Sequence, residues 1–228
     1  MARHTALAGQ LTTAATVVAP RRGRRPSTTR AQVLAVALEL VDRDGLAALT
    51  MRDLAAELGL AVGTVYTAAG GKEEILQGVA DLVLGDLPEV AVVDGDWRGA
   101  LVTFFTAVHR LLTAHPAIAQ LSVLEPLVGP AILAGHDAVF QIMSAGGLDE
   151  ADALTLYSTL ASYTIGFILY QISRGAHAAE GRDPPVLLGR ARPHLEIPLT
   201  DAQFEAGLVQ IVRGFPGSQN GRGVGVQG

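Results

Sequence analysis

The chain has 228 residues, enough for a small domain joined to a larger one, and 49% of them are apolar but only 5% aromatic, which favours helices packed on helices over a sheet sandwich. It contains no Cys, which excludes disulfides and thiolate metal sites, and its six His show no paired ligand spacing. Of 17 basic and 22 acidic residues, six Arg and no acid fall in residues 1–30, which leaves an acidic body behind a basic N-terminal arm.

In chain order, residues 1–27 lack periodicity and read as a flexible arm whose Arg21, Arg22, Arg24 and Arg25 suit the phosphates of a polyanion. The apolar run LTTAATVVAP is short, interrupted by Thr, and followed rather than preceded by its arginines, so it does not read as a secretory leader. No stretch offers ~18 consecutive apolar residues, and the expected setting is cytoplasmic with no membrane partner. Val33, Leu34, Ala37, Leu38 and Val41 recur at helical spacing and predict a first helix over Thr29–Asp44, stopped by Gly45. Thr50 is a cap for a second helix, Met51–Leu58, and Gly59 supplies a left-handed turn before a third helix from Val62. Ala55, Gly59 and Val65 then meet the demands of a helix-turn-helix: a small residue at the crossing, a positive-φ turn and an aliphatic anchor.

From Arg30 to about residue 85 these residues resemble the DNA-binding domain of the TetR family of bacterial transcriptional repressors. The likeness is carried by Gly45-Leu46, Thr50-x-Arg52-x-Leu54-Ala55, Leu58-Gly59, Thr64-Val65-Tyr66 and Lys72. It implies that Arg52, Thr64 and Tyr66 face bases or phosphates and that Lys72 meets the backbone of a double-stranded operator; Thr67, beside Thr64 and Tyr66 on the same helix, is a further DNA-binding candidate. Arg can pair bidentately with guanine, and hydroxyls reach phosphate oxygens. Thr67, Ala68 and Ala69 depart from the family pattern, which carries an aromatic or His in this stretch, so altered DNA specificity is expected. The motif AGGK lacks the spacing of a nucleotide-binding loop, since Glu73 follows Lys72.

Further helices are expected over Trp97–His115, from Pro116, over Pro126–Ala145, Asp149–Arg174 and Thr200–Phe215, with a Pro-rich loop over His177–Pro198. The segments YTIGFILYQ and FEAGLVQIVRGF are similar to the ligand-binding and dimerisation domain of the tetracycline-repressor branch. That resemblance implies a homodimer built on two helices carrying more aliphatic surface than one protomer buries. It also implies a metal-held drug, yet the matching positions offer Ser122 and Tyr170, poor donors for Mg²⁺. A metal-free, largely apolar small-molecule effector is therefore expected, held by Phe104, Val108, Phe140 and Phe167 and oriented by Ser122 and Tyr170, with no cofactor. His109, His115 and His136 with Ser122 or Ser144 lack a nucleophile elbow or oxyanion hole, so no enzyme is expected.

The expected fold class is all-α: a basic arm over 1–27, a three-helix DNA-binding domain over 28–85, a larger helical domain over 86–216, and a disordered tail over 217–228. The expected function is a ligand-responsive repressor on a palindromic operator. The alternative from another class is a small-molecule-binding dimer with vestigial DNA affinity.

Overall fold

A computed structural model describes residues 28–179 and 199–215; side chains are described as far as residue 175 and again from 199. The basic arm, with Arg21, Arg22, Arg24 and Arg25, most of the Pro-rich loop and the C-terminal tail lie outside the described residues. Nine α-helices and no strand occur among those described: α1 (Arg30–Asp44), α2 (Met51–Glu57), α3 (Val62–Ala69), α4 (Lys72–Leu84), α5 (Trp97–Ala114), α6 (Pro116–Leu124), α7 (Pro130–Ala145), α8 (Glu150–Ala179) and α9 (Asp201–Gly214).

Local chemistry accounts for the boundaries of the first helices. The Thr29 hydroxyl accepts from Gln32 N while the Gln32 side chain accepts from Thr29 N, a reciprocal cap that satisfies donors otherwise left open at the start of α1. Thr50 caps α2 through Asp53 N. Gly59 has φ +64° between α2 and α3, the left-handed conformation that the turn requires. A 3₁₀ turn at Leu46–Ala48 occupies the link after Gly45.

The expectation for α7 is corrected. It begins at Pro130, because a helix starting at Pro126 would place the Pro130 ring against the Pro126 carbonyl four residues back. Proline at the first helical position has no such conflict. α8 runs on to Ala179, beyond the expected Arg174 and into the first residues of the expected loop.

Two apolar clusters form the interior. One begins with Val33, Leu40, Leu54, Val65 and Ile75 and runs on without interruption into Leu112, Ile118, Leu121, Ile132 and Ile168, so the N-terminal helices share their core with α5 to α8. Asp42 of α1 also meets His115 at the α5–α6 corner, 2.8 Å apart. The second cluster joins Trp97, Leu101, Phe105, Met143, Leu156, Leu160, Phe204 and Leu208.

α8 has the length and mean hydropathy of a membrane span over Glu150–Gly175, 1.3 in its most apolar window. It packs against α5, α6, α7 and α9 through one face, and 28% of that window is buried in the protomer. On α8 and α9, Leu156, Leu160, Ile168, Phe204, Leu208 and Val212 are buried within the protomer, whereas Leu154 and Tyr170 are about half exposed and Leu169, Ile172, Val209 and Ile211 are only partly buried.

His109 is wholly buried between α5, α8 and α9. Its ring stacks on Phe204, its Nε2 lies 3.1 Å from Gln171 Oε1, and its Nδ1 has no hydrogen-bond partner. Gln171 in turn donates to Leu199 O, fixing the approach to α9. Burial lowers the His109 pKa from 6.5, outweighing the bond to Gln171 and the Asp201 carboxylate 4.0 Å away. A base with a depressed folded pKa takes up protons more readily when unfolded, so its stability contribution is complete above pH ~6.5 and lost as pH falls toward the folded value. Thermal midpoints should therefore drop between pH 7.5 and 5, and His109→Gln should flatten that part of the profile.

Candidate DNA-reading face and ligand cavity

α3 presents Thr64, Tyr66 and Thr67 to solvent, with Tyr66 51% exposed, while Val65 and Ala69 point into the core. The alanines that depart from related sequences have a packing reason: Ala69 is 2% exposed and its carbonyl accepts from the Arg30 guanidinium at 2.8 Å, and Ala68 is half-buried. The outward surface of α3 is thus little reduced by them. Arg52 stands exposed on α2. The Thr67 hydroxyl donates to Gly63 O at 2.9 Å, and Lys72 Nζ lies 3.5 Å from Leu46 O, exposed at the start of α4. Arg52, Thr64, Tyr66, Thr67 and Lys72 all belong to the α2–α4 region.

Only Gly70 and Gly71 separate α3 from α4. α4 is bonded to the segment that leads into α7. Gln77 donates to Pro126 O at 3.0 Å and accepts from Val128 N at 2.9 Å. One turn on, Asp81 Oδ1 accepts from Ala131 N at 2.8 Å and Ile132 N at 3.2 Å, where a carboxylate complements the helix N-terminus. A methyl group at Gly129 would collide with the Asp81 carboxylate, so glycine is what lets the two approach.

The same segment walls a cavity of about 270 Å³. Leu127, Ala131, Ile132, Gly135, His136 and Val139 form one side; Phe104, Phe105, Val108 and Leu112 of α5 and Tyr157, Ala161, Thr164 and Ile165 of α8 form others, and Ser122 enters from α6. No Asp, Glu, Lys or Arg lines it. Among the described residues no cluster of His, Asp or Glu could hold a metal ion. Tyr157 is held between the edge of His136 and the ring of Phe140, centroids 5.4 Å away in both cases, and burial raises its pKa above the usual 10.

Phe104, Val108 and Ser122 are brought together on this wall; Phe140, Phe167 and Tyr170 are not. Phe140 backs Tyr157 from outside, and Phe167 packs on His109 and Phe204. Tyr170 is 49% exposed. The cause is helical register: at ~100° per residue, Phe167 turns well away from the face of Tyr157, Ala161 and Thr164, and Tyr170 lies nearly opposite it. Tyr157 and Thr164 escaped the sequence reading, and His136 entered it only as a candidate for catalysis. For Tyr157 and Thr164 the signal was the spacing i, i+4, i+7, i+8 of Tyr157, Ala161, Thr164 and Ile165, which marks one face of α8.

A helix-turn-helix coupled to a helical domain around a ligand-sized cavity defines the class of this protein. Residues 33–79 match the family described as bacterial regulatory proteins, tetR family, and residues 91–216 match the tetracyclin repressor-like C-terminal domain. The chain belongs to the TetR family. It is 31% identical over 144 residues to an HTH-type transcriptional regulator of Saccharopolyspora erythraea, covering 63% of this chain and 61% of that one. It is 30% identical over 148 residues to the HTH-type transcriptional repressor DrrR1 of Streptomyces coeruleorubidus, covering 64% of this chain and 55% of the relative. The matches thus span little more than half the length of these two relatives. Among solved structures, the Streptomyces coelicolor TetR family protein ActR in complex with actinorhodin superposes with a TM-score of 0.69 at 26% identity, over 82% of this chain and 96% of ActR.

Proposed function

We propose that this chain is a transcriptional repressor that grips a palindromic operator as a homodimer and leaves it when a small, largely apolar molecule fills the cavity without metal. The observation that carries this reading is the double bonding of α4, through Gln77 and Asp81, to the stretch from Pro126 to Ile132 that also walls the cavity. A ligand pressing on Leu127, Ala131 and Ile132 acts on α4, and through two glycines on α3. Occupancy then shifts the population toward dimers whose recognition helices no longer match successive major grooves. ActR, solved with actinorhodin, supports a cavity of this fold serving as a ligand site. A wall offering one imidazole and no carboxylate supports metal-free binding.

In this reading Arg52, Thr64, Tyr66, Thr67 and Lys72 meet DNA, and Arg21, Arg22, Arg24 and Arg25 add sequence-independent attraction to phosphates. The test is an electrophoretic shift on the DNA upstream of the chain's own gene. Arg52→Ala should cost ~1–3 kcal/mol and relax base preference at one position per half-site if the contact is bidentate. Unchanged preference would remove Arg52 from the readers, and failure of the unaltered protein to bind that DNA better than random duplex would count against the repressor reading.

A further inference from the structure

The hydroxyls on the cavity wall are not equivalent. Ser122 donates its hydrogen to Ala119 O and Thr164 donates to Leu160 O, both at 2.8 Å, so each has only lone pairs left to offer a ligand. Thr164 is almost completely buried, and turning its hydrogen toward a ligand would forfeit a bond that water cannot replace there. Tyr157 and His136 are in the opposite condition. Neither has a hydrogen-bond partner among the described residues, and they meet edge to face, with centroids 5.4 Å apart. Burial keeps the Tyr157 phenol protonated and therefore a donor. Tyr157 and Thr164 are two turns apart on one face of α8, ~10 Å along its axis. Between and around them the wall is aromatic and aliphatic, without Asp, Glu, Lys or Arg.

We propose that the cavity selects an uncharged, largely aromatic molecule with a hydrogen-bond acceptor at the Tyr157–His136 end and a hydrogen-bond donor at the Thr164 end. The proposal rests on reading this cavity as the effector site and adds the ligand's polarity and orientation. A carboxylate or an ammonium group would enter with no Lys, Arg, Asp or Glu on the wall to pair with, and a molecule with acceptors at both ends would face Thr164 lone pair to lone pair. A purely apolar molecule would leave the Tyr157 hydroxyl buried without a partner.

The test uses four naphthalenes of nearly equal size, followed by their own fluorescence against the full-length protein without DNA: 6-acetyl-2-naphthol, its methyl ether, 6-ethyl-2-naphthol and 6-hydroxy-2-naphthoate. Acetylnaphthol, which carries a donor and an acceptor at opposite ends, should bind most tightly. The ether, lacking the donor, should bind about tenfold more weakly, and Thr164→Val should abolish that difference while leaving the helical circular dichroism unchanged. The ethyl compound, lacking the acceptor, should be weakened similarly, with the difference lost in Tyr157→Phe. The carboxylate should be the weakest ligand. Equal affinities for acetylnaphthol and its ether in the unaltered protein would overturn the assignment, as would preference for the carboxylate or failure of all four to bind. A cavity that shows the expected pattern yet leaves the DNA complex intact when filled would count against the repressor reading alone. Release from DNA by a molecule with the opposite polarity would count against this inference alone.

Discussion

Asp81→Ala should lower the thermal midpoint by several degrees and leave a protein whose DNA affinity no longer responds fully to filling of the cavity. The carboxylate accepts from two backbone N–H groups at the start of α7, and its loss leaves both amides without their partner. Bonds to a charged acceptor are each worth ~1.5–3 kcal/mol where buried. Asp81 is only half-buried and water can reach part of the gap, so ~2–4 kcal/mol in total is the expected cost. For a chain of this length each kcal/mol moves the midpoint by about 2–4 °C. Asp81→Asn keeps one acceptor oxygen and should recover much of the stability. The functional part of the prediction is separable from the structural part: cavity affinity, measured without DNA, should stay near that of the unaltered protein, while the ratio of DNA affinities with and without ligand should shrink toward one. An Asp81→Ala protein that is destabilised but still released normally would show that the signal leaves the cavity by another route.

Gly166→Glu should convert a dimer into a monomer without disturbing the protomer. The outward face of α8 carries Thr155, Ser158, Thr159, Ser162 and Gly166, all exposed. The hydroxyls of Thr155, Ser158 and Thr159 donate to carbonyls of their own helix at 2.8 Å, so a partner could approach closely without stranding their hydrogens. A side chain added at Gly166 meets nothing within 4 Å in the protomer, and replacing glycine inside an exposed helix is itself mildly favourable. Across a two-fold interface the same change buries two like charges. An unpaired buried charge costs ~3–5 kcal/mol, which raises the dissociation constant on the order of several hundredfold or more. Light scattering should report the mass of one chain with helical content preserved, and operator binding should fall because a monomer reaches one half-site. A dimer of unchanged mass would place the interface on another face.

The legibility of the sequence followed the range of the interactions involved. The start and turn of the DNA-binding helices could be read because Thr29, Thr50, Gly45 and Gly59 act on backbone groups within a few residues. The start of α7 was misread where two prolines compete, although their four-residue spacing already held the answer. Phe104, Val108 and Ser122 could be placed at the cavity by resemblance, but Tyr157 and Thr164 depend on which face of a thirty-residue helix turns inward. That rotation is set by packing against α5, α6, α7 and α9, two of them well removed in sequence. The clamp of Gln77 and Asp81 was invisible for the same reason: its partners lie about fifty residues away and are backbone amides and a carbonyl, which no side-chain pattern announces.

The uninterrupted core from Val33 to Ile168 bears on any attempt to build hybrid sensors from this chain. Joining its first 85 residues to another protein's effector domain would cut between Ile75 or Val79 and the apolar side chains of α6 and α7 that share their interior. The foreign surface would have to supply equivalents of Ile118, Leu121 and Ile132, or the graft would open a void beneath the very helices meant to hold DNA. A transplant that also carried α6 and the stretch through Ile132 would preserve the seam, at the expense of importing part of the cavity wall and with it some of the original ligand preference. Recognition of DNA and recognition of ligand are therefore not freely interchangeable parts in this molecule; they are machined from one block.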